Sequence, residues 1–395
     1  MSRPFAVVIA IALLAAGCST SDPTASVGEG ESVDVVQLAS SPRESGPSAL
    51  QNPNDPAFPA PLVDPDDIRS GGVPPDGIAP IDKPAFVRVG SFDWLGDNEP
   101  VLALTIGDET RAYPVQIMTW HEIVNDTVGG VPVSITYCPL CNSAVAYDRR
   151  LPDGRVVDFG TSGSLYRSAL VMYDRQTESL WTHYLGQAVV GRLAGTTLAG
   201  FPMATVSYME FREAHPDGLV LSRKTGFTRS YGTNPYPGYD DINTSPFLFS
   251  GKVDGRLTAK ARVVGMRDGS SAVAVDREQL AKSGVVDVKV GQQAVTVWHK
   301  PGTVSSLDQS EIAASADIGA VAAYGRTLAD RLLTFRRVST SDGIGFVDAE
   351  TGSRWNLLGQ ATSGALVGKQ LDAVTHVDTF WFAWAAYSPQ SRVEP

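Results

Sequence analysis

Residues 129–148 read GGVPVSITYCPLCNSAVAYD, and this stretch sets the expected fold class. The Gly-Gly pair is typical of a two-residue hairpin turn. The β-branched alternation after it predicts a strand over Val131–Tyr137, and a second strand is predicted over Ser143–Asp148. The two cysteines, Cys138 and Cys141, therefore fall in a turn between strands. Because alternating patterns of this kind dominate the rest of the chain, we expect a β-rich α+β fold.

Helical patterns are short and few. An N-cap candidate followed by helix formers predicts a helix over Asp276–Ser283, which ends before a glycine. Pro114 suits a first helical turn, so a matching helix is expected over about residues 114–124. Two amphipathic segments predict another pair of helices over Val206–Ala214 and Thr379–Ala386. Further strands are predicted over Arg155–Gly160, Leu170–Tyr173 and Leu180–Tyr184.

The second half of the chain repeats the first in degenerate form. The segment MYDRQTESLW at 172–181 returns as FVDAETGSRW at 346–355, and VSITY at 133–137 returns as VTVWH at 295–299. One duplication explains these echoes, whereas a short-period repeat array does not. We therefore predict two related units. They cover residues 85–225 and 261–395.

The amino terminus has the pattern of an export signal. Arg3 is followed by an apolar run and then by Gly17-Cys18, which matches a charged region, an apolar region and a small-residue cleavage site. The run is too short to span a bilayer. The sequence LAAGC at 14–18 resembles a bacterial lipobox, so we predict a signal peptide over residues 1–18 and a membrane-anchoring lipid on Cys18. A plain secretory signal is the alternative, and either one predicts an extracytoplasmic protein of the bacterial cell envelope.

Residues 19–84 have the composition of a tether. Twelve of the 26 prolines lie there, Phe58 is the only aromatic residue, and eleven acidic residues stand against three basic ones. Such a sequence buries too little apolar surface to order itself, so we predict a disordered tether. It carries most of the net charge of −11. The remaining chain lacks the basic face that nucleic-acid binding requires.

Residues 226–260 join the two predicted units. The sequence YGTNPYPGYDD at 231–241 is rich in turn formers and cannot be a regular element. Its tyrosines exceed what a flexible linker needs, so we expect an ordered connector that packs on a domain face or lines a cleft. The residues predicted to line a ligand cleft are His215, Trp181, Tyr231 and Tyr236.

The Cys-x-x-Cys spacing of Cys138 and Cys141 is compatible with a metal site, a redox dithiol or a structural disulfide. In thioredoxin-like proteins such a pair opens a helix whose amino terminus lowers the thiol pKa. Here a strand follows the pair, as in the metal knuckles of rubredoxin and zinc ribbons. Those sites need two more ligands, and the sequence has no second Cys-x-x-Cys. Because thiols tend to be oxidised outside the cytoplasm, a disulfide stays open as well.

His121 is the candidate third ligand, because it lies shortly upstream in a predicted helix. Met118 lies three residues earlier on the same helical face. Two thiolates with an imidazole and a nearby thioether suit copper(I), or zinc with an open position. The alternatives are a His121 that bonds to backbone and a Met118 that packs in the core.

Comparison of the two predicted units favours a shared site. In an alignment by eye, Lys300 and Thr303 stand where the two cysteines fall, Ala281 stands where His121 falls, and Met118 falls near Glu278. A structural disulfide alone would not explain the joint loss of the histidine. The other histidines rank lower. His183 is expected on a strand facing outward or towards a cleft, and His215 is expected to cap a helix.

Five motifs resemble those of a widespread prokaryotic domain-of-unknown-function family. They are GGVPPDGI at 71–78, WHEIVND at 120–126, YCPLCN at 137–142, MYDRQT at 172–177 and AHPD at 214–217. The resemblance covers nearly everything after the tether, and it implies an extracytoplasmic location without an established reaction. His121, both cysteines and His215 fall inside these motifs. His183 stands where the resemblance leads us to expect glutamine, which makes it a poor ligand candidate.

Three functional hypotheses follow from the sequence. The leading one is a cell-envelope lipoprotein whose first unit binds copper or zinc through Cys138, Cys141 and His121, with Met118 as an optional fourth ligand. The second is a thiol–disulfide oxidoreductase that uses the same two cysteines. The third is a non-enzymatic binding module in which a disulfide only holds a turn. Whether the protein is an enzyme is left open by the sequence.

Overall fold

A computed structural model describes residues 28–249, 251–340 and 343–395. The predicted signal peptide, residues 1–18, and the predicted lipidation site, Cys18, lie outside the described residues. The structure has 39% of its residues in strands and 9% in helices, arranged as several sheets and a few short helices. This content confirms the β-rich α+β class. No helix in this part of the chain is long and apolar enough to cross a bilayer.

The first half consists mainly of hairpins. Its elements are β1 (Ser32–Val33), β2 (Ile68–Ser70), β3 (Phe86–Arg88), β4 (Pro100–Ile106), β5 (Glu109–Pro114), α1 (Val115–His121), β6 (Ile123–Val128), β7 (Val131–Cys138), β8 (Ser143–Asp148), β9 (Phe159–Tyr166), β10 (Ala169–Asp174), β11 (Leu180–Thr182), β12 (Gln187–Val190), β13 (Gly200–Phe201), β14 (Ala204–Ser207), α2 (Tyr208–Ala214) and β15 (Leu219–Leu221). A 3-10 turn at Pro65–Asp67 precedes β2.

The second half runs through a similar order of elements. They are β16 (Arg262–Asp268), β17 (Ser271–Asp276), α3 (Arg277–Ser283), β18 (Val285–Val290), β19 (Gln293–Lys300), β20 (Ala320–Gly325), β21 (Thr327–Leu328), β22 (Arg331–Leu332), β23 (Phe335–Thr340), β24 (Gly343–Asp348), β25 (Arg354–Trp355), β26 (Ala361–Ser363), β27 (His376–Phe380), α4 (Trp381–Tyr387) and β28 (Arg392–Glu394). A 3-10 turn at Ile312–Ala314 precedes β20.

The halves also share strand pairings and one turn motif. The antiparallel pair β14–β4 and the parallel pair β15–β5 have counterparts in β27–β16 and β28–β17. In the first half, Asp174 accepts hydrogen bonds from Thr177 and from the Trp181 indole, which is 2.9 Å away. In the second half, Asp348 accepts the corresponding hydrogen bonds from Thr351 and from the Trp355 indole, which is also 2.9 Å away.

The predicted elements are largely confirmed. All four predicted helices are present, as α1 to α4, and the strand over Ser143–Asp148 has the predicted bounds. The predicted strand over Arg155–Gly160 is wrong, because β9 begins only at Phe159. The reason is that the backbone before β9 bonds to the amino-terminal segment and to a side chain. Val156 carbonyl accepts from the Ser41 amide, and the Asp158 amide donates to the Gln176 side chain.

One sheet runs through both halves. Its strand order is β1-β3-β15-β5-β4-β14-β20-β19-β18, and β14 pairs with β4 on one side and with β20 on the other. The other large sheets are β12-β11-β10-β9-β2, β13-β8-β7-β6, β27-β16-β17-β28 and β23-β24-β25-β26. The two halves are therefore joined by strand pairing as well as by side-chain packing.

Residues 28–84 lie against the first half, which corrects the predicted disordered tether for this part of the chain. The Ser41 amide bonds to the Val156 carbonyl at 2.8 Å, and the Glu44 amide bonds to the Gln176 carbonyl at 2.8 Å. Ala49 and Ile81 are buried in separate clusters of the core. The composition misled because this segment gains its order from hydrogen bonds to the neighbouring backbone, with little apolar burial of its own.

Candidate functional site

The two cysteines lie at a tight turn between β7 and β8. Cys138 ends β7 and pairs with Ser143, the first residue of β8. Pro139 suits the first corner of such a turn, and Asn142 adopts a left-handed conformation with φ of 49°, which asparagine tolerates. The Asn142 amide closes the turn on the Pro139 carbonyl at 3.2 Å. This local geometry holds the Cys138 and Cys141 thiols next to one another.

Both cysteines are free thiols in the core of the protein. The exposed fraction is 2% for Cys138 and 0% for Cys141. Burial raises the pKa of the Cys138 thiol well above its usual value, and the neighbouring Cys141 thiol raises it further. The pair therefore rests in a dry environment that favours uncharged sulfur.

A chain of hydrogen bonds leads away from Cys141. The Cys141 sulfur lies 2.9 Å from the Ser143 hydroxyl, which lies 2.7 Å from Nε2 of His183. On the far side of the ring, Nδ1 lies 3.0 Å from the Thr136 hydroxyl, which itself donates to the Val145 carbonyl at 3.4 Å. Since the Thr136 oxygen then accepts from Nδ1–H, Nε2 is left to accept from Ser143, and Ser143 accepts from the Cys141 thiol.

His183 is neutral in this network. Its ring is fully buried, and burial lowers the pKa of His183 from its ordinary value to about 3. The turn after β11 that carries it is held by Tyr147, whose hydroxyl donates to the His183 carbonyl at 2.8 Å. A neutral imidazole with an unprotonated Nε2 accepts the hydrogen of the Ser143 hydroxyl and so turns that oxygen towards the Cys141 thiol.

The second half and the connector hold the outer side of the thiol turn. The Cys141 carbonyl accepts hydrogen bonds from the Thr379 hydroxyl at 2.7 Å and from the Phe380 amide at 3.1 Å. The Tyr239 hydroxyl donates to the Leu140 carbonyl at 2.9 Å. The turn is thus anchored by three bonds from chain segments more than ninety residues away in sequence.

A polar cluster connects the turn to the second half. With its oxygen towards Arg262 and its NH₂ group towards Tyr137, the Asn142 amide accepts from the guanidinium at 2.9 Å and donates to the phenol oxygen at 3.1 Å. Arg262 in turn pairs with Asp378 at 2.7 Å. The conformation of the residue that follows Cys141 is therefore set by charged groups of the other half.

The Glu122 carbonyl accepts from the amide of Tyr137, the residue before Cys138, and Tyr236 packs on the core cluster that contains the thiols. The Glu122 side chain is buried, and burial followed by the charge of the Cys138 thiolate raises the pKa of its carboxyl well above the usual value. Burial raises the pKa of the Tyr236 phenol, with smaller contributions from Glu122 and Cys138. Neither side chain forms a hydrogen bond to any other described residue.

The structure does not assemble the predicted three-ligand metal site. Both ring nitrogens of His121 are engaged elsewhere, Nδ1 with the Ala79 carbonyl and Nε2 with the Tyr231 hydroxyl, each at 2.6 Å. Met118 packs in a different core cluster from the cysteines. In the described ranges, no three His, Cys, Asp or Glu side chains are grouped so that they could hold a metal ion. His121 therefore takes the alternative role of a histidine bonded to backbone.

The four residues predicted to line one ligand cleft are spread over the molecule. Trp181 is fully buried and donates to Asp174, and Tyr231 contacts His121. His215 follows α2, packs its ring on Phe211 at 5.5 Å, and lines a cleft of about 360 Å³ with His376. Trp181 belongs to the core cluster that contains the thiols and Tyr236 packs on it, whereas Tyr231 packs on a different cluster. The four residues therefore do not line one cleft, because Tyr231 and His215 lie apart from Trp181 and Tyr236.

Sequence reasoning missed His183, Ser143 and Glu122. His183 was expected to face outward or towards a cleft, yet it is the imidazole nearest to the thiols along the hydrogen-bond chain. A comparison with the second half could have indicated them. Its matching elements have Leu357 in place of His183, Ala320 in place of Ser143 and Gly284 in place of Glu122. Matching α1 to α3 shifts the alignment made by eye by two residues. His121 then corresponds to Ser283 instead of Ala281.

No match was found among curated proteins, and none was found among solved structures. A family model described as "Protein of unknown function (DUF3179)" matches residues 75–391. This span contains α1, the thiol turn, the Ser143–His183 chain and the second half up to the residue before β28. Since it covers most of the sequence, the chain belongs to the DUF3179 family of proteins of unknown function.

Proposed function

We propose that the protein is a thiol–disulfide redox protein whose working group is the pair Cys138 and Cys141. The observation that carries this proposal is an adjacent pair of free thiols at a tight turn, with a hydrogen-bond chain that engages one of them. The Cys141 thiol is linked through Ser143 to the free Nε2 of His183, at 2.9 and 2.7 Å.

The reaction consumes a disulfide of a partner and leaves two partner thiols. One cysteine sulfur attacks the partner disulfide and releases one thiol, and the second cysteine then attacks the mixed disulfide and releases the other. The Cys138–Cys141 pair loses two electrons and two protons, and the partner gains both. Each sulfur loses its proton as it forms a bond, and the departing thiolates of the partner take up these two protons, so that charge stays balanced.

Charge favours redox chemistry over metal binding at this pocket. The dithiol and the disulfide are both neutral, so oxidation leaves no net charge in a dry environment. Two thiolates on copper(I) would leave a net negative charge, and no Lys or Arg side chain among the described residues bonds to either sulfur. The proposed redox couple therefore ranks above the copper or zinc site predicted from the sequence.

A redox titration tests the proposal. The protein is equilibrated in mixtures of reduced and oxidised dithiothreitol, quenched with an alkylating agent, and analysed by mass. We expect one reversible two-electron transition with a potential between about −180 and −270 mV, the range of working dithiols. A potential below about −300 mV would mark an inert structural disulfide, and failure to form the disulfide would overturn the proposal.

Three variants sharpen this titration. Cys138→Ser and Cys141→Ser are each expected to abolish the transition, because each removes one of the two sulfurs. His121→Asn is expected to leave the potential unchanged within the error of the titration, since its ring bonds to Ala79 and Tyr231 rather than to the thiols. A displaced potential in His121→Asn would instead support the shared site that the sequence predicted.

The expected location is consistent with such a role. We propose that Cys18 is lipidated and holds the protein to the outside of a bacterial membrane, where disulfide chemistry is common. Mass analysis of the protein purified from its native envelope tests this directly. The amino-terminal peptide should carry acyl chains on Cys18, and Cys18→Ser should release the protein from the membrane fraction.

We also propose that the chain arose by duplication, and that only its first unit keeps the thiol chemistry. The repeated order of strands and helices and the two Asp–Thr–Trp turns support this proposal. In the second unit Lys300 and Thr303 occupy the places of the cysteines, and Leu357 that of His183. The second unit would then act as a scaffold, since Thr379 and Phe380 clamp the Cys141 carbonyl.

A further inference from the structure

We propose that a strap, residues 231–249 of the connector, is the gate through which a partner disulfide reaches the thiols, and that Tyr239 is its latch. This inference rests on the proposed redox function, because thiol–disulfide exchange requires direct contact between the attacking sulfur and the partner disulfide. Cys138 is 2% exposed and Cys141 is 0% exposed, so the closed structure excludes that contact. One of the segments that cover the thiol turn therefore has to move away.

The two segments on the outer side of the turn are held in different ways. Thr379 and Phe380 bond to the Cys141 carbonyl from β27, which forms five residue pairs with β16. The strap bonds to the Leu140 carbonyl instead, and the described residues between β15 and β16 form no helix and no strand. Segments without regular hydrogen-bond ladders have the lowest free energies of local opening. The strap is therefore the segment expected to open.

The strap is attached to the rest of the protein at a few points. Three of its amides donate to carbonyls of residues 307–310 over 2.6–3.0 Å, and these are the amides of Asn234, Gly238 and Tyr239. The outer side buries little apolar surface, because Ile242, Phe247 and Leu248 are 45%, 57% and 41% exposed. Lifting the strap thus exposes little additional apolar surface on this side.

Tyr239 joins the strap to the thiol turn. Its hydroxyl donates to the Leu140 carbonyl at 2.9 Å and accepts from the Phe247 amide at 3.2 Å. Its ring packs edge-on against Phe380 with 6.0 Å between the ring centroids. Because Leu140 lies between the two cysteines, one hydroxyl connects the backbone of the turn with two points of the strap. This connection must break when the strap lifts.

Lys260 holds the strap in a form that can be released. Its ammonium group donates to the Tyr239 carbonyl at 2.6 Å and to the Thr244 hydroxyl at 2.5 Å, and it lies 4.0 Å from the centroid of the Tyr239 ring. Lys260 is only 2% exposed, and no carboxylate in the described ranges forms an ion pair with it. A buried charge without an opposite charge is costly. Opening hydrates this ammonium group and so offsets part of the bonds that are lost.

The experiment measures alkylation of the reduced, native protein by iodoacetamide, followed by mass analysis of Cys138 and Cys141. Tyr239→Phe keeps the ring and removes both bonds of the hydroxyl. We expect it to be alkylated about fivefold faster than wild type, the effect of losing about one net hydrogen bond. Thr244→Val should be alkylated about twofold faster, because Lys260 then loses a partner in the closed form only.

Tyr324→Phe is the matched control. The Tyr324 hydroxyl donates to the Leu357 carbonyl at 2.8 Å, in a core cluster that does not contain the thiols. This variant loses an equivalent bond without touching the strap, so it should be alkylated at the wild-type rate. Equal acceleration in Tyr324→Phe and Tyr239→Phe would mean that the reagent enters through unfolding of the whole protein, and it would overturn the proposal.

Two further measurements on wild type identify the segment that opens. The alkylation rate should rise with urea on a much shallower slope than global unfolding, because a local opening exposes little surface. In hydrogen exchange, peptides from residues 231–249 should exchange well before peptides from β7 and β8. A slope equal to that of global unfolding, or a strap as strongly protected as β7 and β8, would overturn the gate.

The outcomes separate this inference from the redox proposal, because alkylation needs neither an oxidant nor a partner. If wild type forms a reversible Cys138–Cys141 disulfide but Tyr239→Phe is alkylated at the wild-type rate, the gate is overturned and the redox function stands. If Tyr239→Phe is alkylated faster and wild type forms no reversible disulfide, the strap opens as proposed and the redox function fails.

Discussion

Acidification from pH 7 to pH 4.5 is expected to destabilise the wild-type protein by about 2.5 kcal/mol more than the variant His183→Gln. Burial lowers the pKa of His183 from 6.5 to about 3, so the unfolded chain binds a proton in this window that the folded protein does not. The stabilisation by neutral His183 is therefore complete above pH 6.5 and is lost progressively as the pH falls towards 3. Each pH unit costs about 1.4 kcal/mol over most of this range.

The measurement is urea unfolding of both proteins at a series of pH values. Glutamine keeps a donor and an acceptor for Ser143 and Thr136, and the groups that face the ring in the described structure carry no formal charge. The difference between the two curves therefore isolates the titration of this imidazole. His215→Gln should keep most of the wild-type slope, because that ring lies outside the core. Parallel curves for wild type and His183→Gln would contradict the prediction.

Removing the carboxylate of Asp126 is expected to lower the free energy of unfolding by about 3–5 kcal/mol. Asp126 is fully buried and accepts from the Arg111 guanidinium at 2.5 Å, the Tyr113 hydroxyl at 2.6 Å and the Gln37 amide at 2.7 Å. In Asp126→Ala the buried Arg111 would keep only Glu109 as a charged partner. An unpaired buried charge costs far more than a surface ion pair contributes.

Asp148→Ala provides the comparison. Asp148 is largely buried and also accepts from the Arg150 amide, but the Arg150 side chain is 49% exposed and stays hydrated without its partner, so this loss should be smaller, about 1 kcal/mol. Asp126→Asn should fall between the two, because its amide can still accept from Tyr113 while it loses the charge that Arg111 needs. Urea unfolding at neutral pH measures all three variants. Equal effects of Asp126→Ala and Asp148→Ala would show that the buried network contributes no more than a surface pair.

The sequence predicted the regular elements well and the ordering of the amino-terminal segment badly. The hairpin of β7 and β8 was recognisable because its strands alternate and Pro-Leu-Cys-Asn suits the turn between them, while Gly-Gly indicated the turn before β7. Periodicity and caps also located all four helices. The order of residues 28–84 was missed, since it depends on backbone hydrogen bonds such as Ser41 to Val156, which composition does not reveal. The continuity of the large sheet through β14 was equally invisible, because it is a long-range pairing.

The thiol turn was found from the sequence, whereas its neighbours were not. Spacing alone identified Cys138 and Cys141, but proximity in sequence suggested His121 as their partner. The structure instead brings His183 close, forty residues beyond Ser143, because β8 and the end of β11 meet in the core. Glu122 escaped notice because its left-handed backbone cannot be seen in a sequence. The second half held the clue, with leucine and glycine at the two corresponding places.

The shared strand β14 has a practical consequence for anyone who wishes to divide this protein. Its Thr205 lies between Leu102 of one half and Val321 of the other. A fragment that ends in the connector would keep β14 without its partner β20, so one edge of β14 would be unpaired. A fragment that begins in the connector would leave the same edge of β20 unpaired. Unpaired strand edges recruit other chains, so half-length fragments should aggregate. Co-expression of both fragments should be needed to recover a soluble, complementary pair.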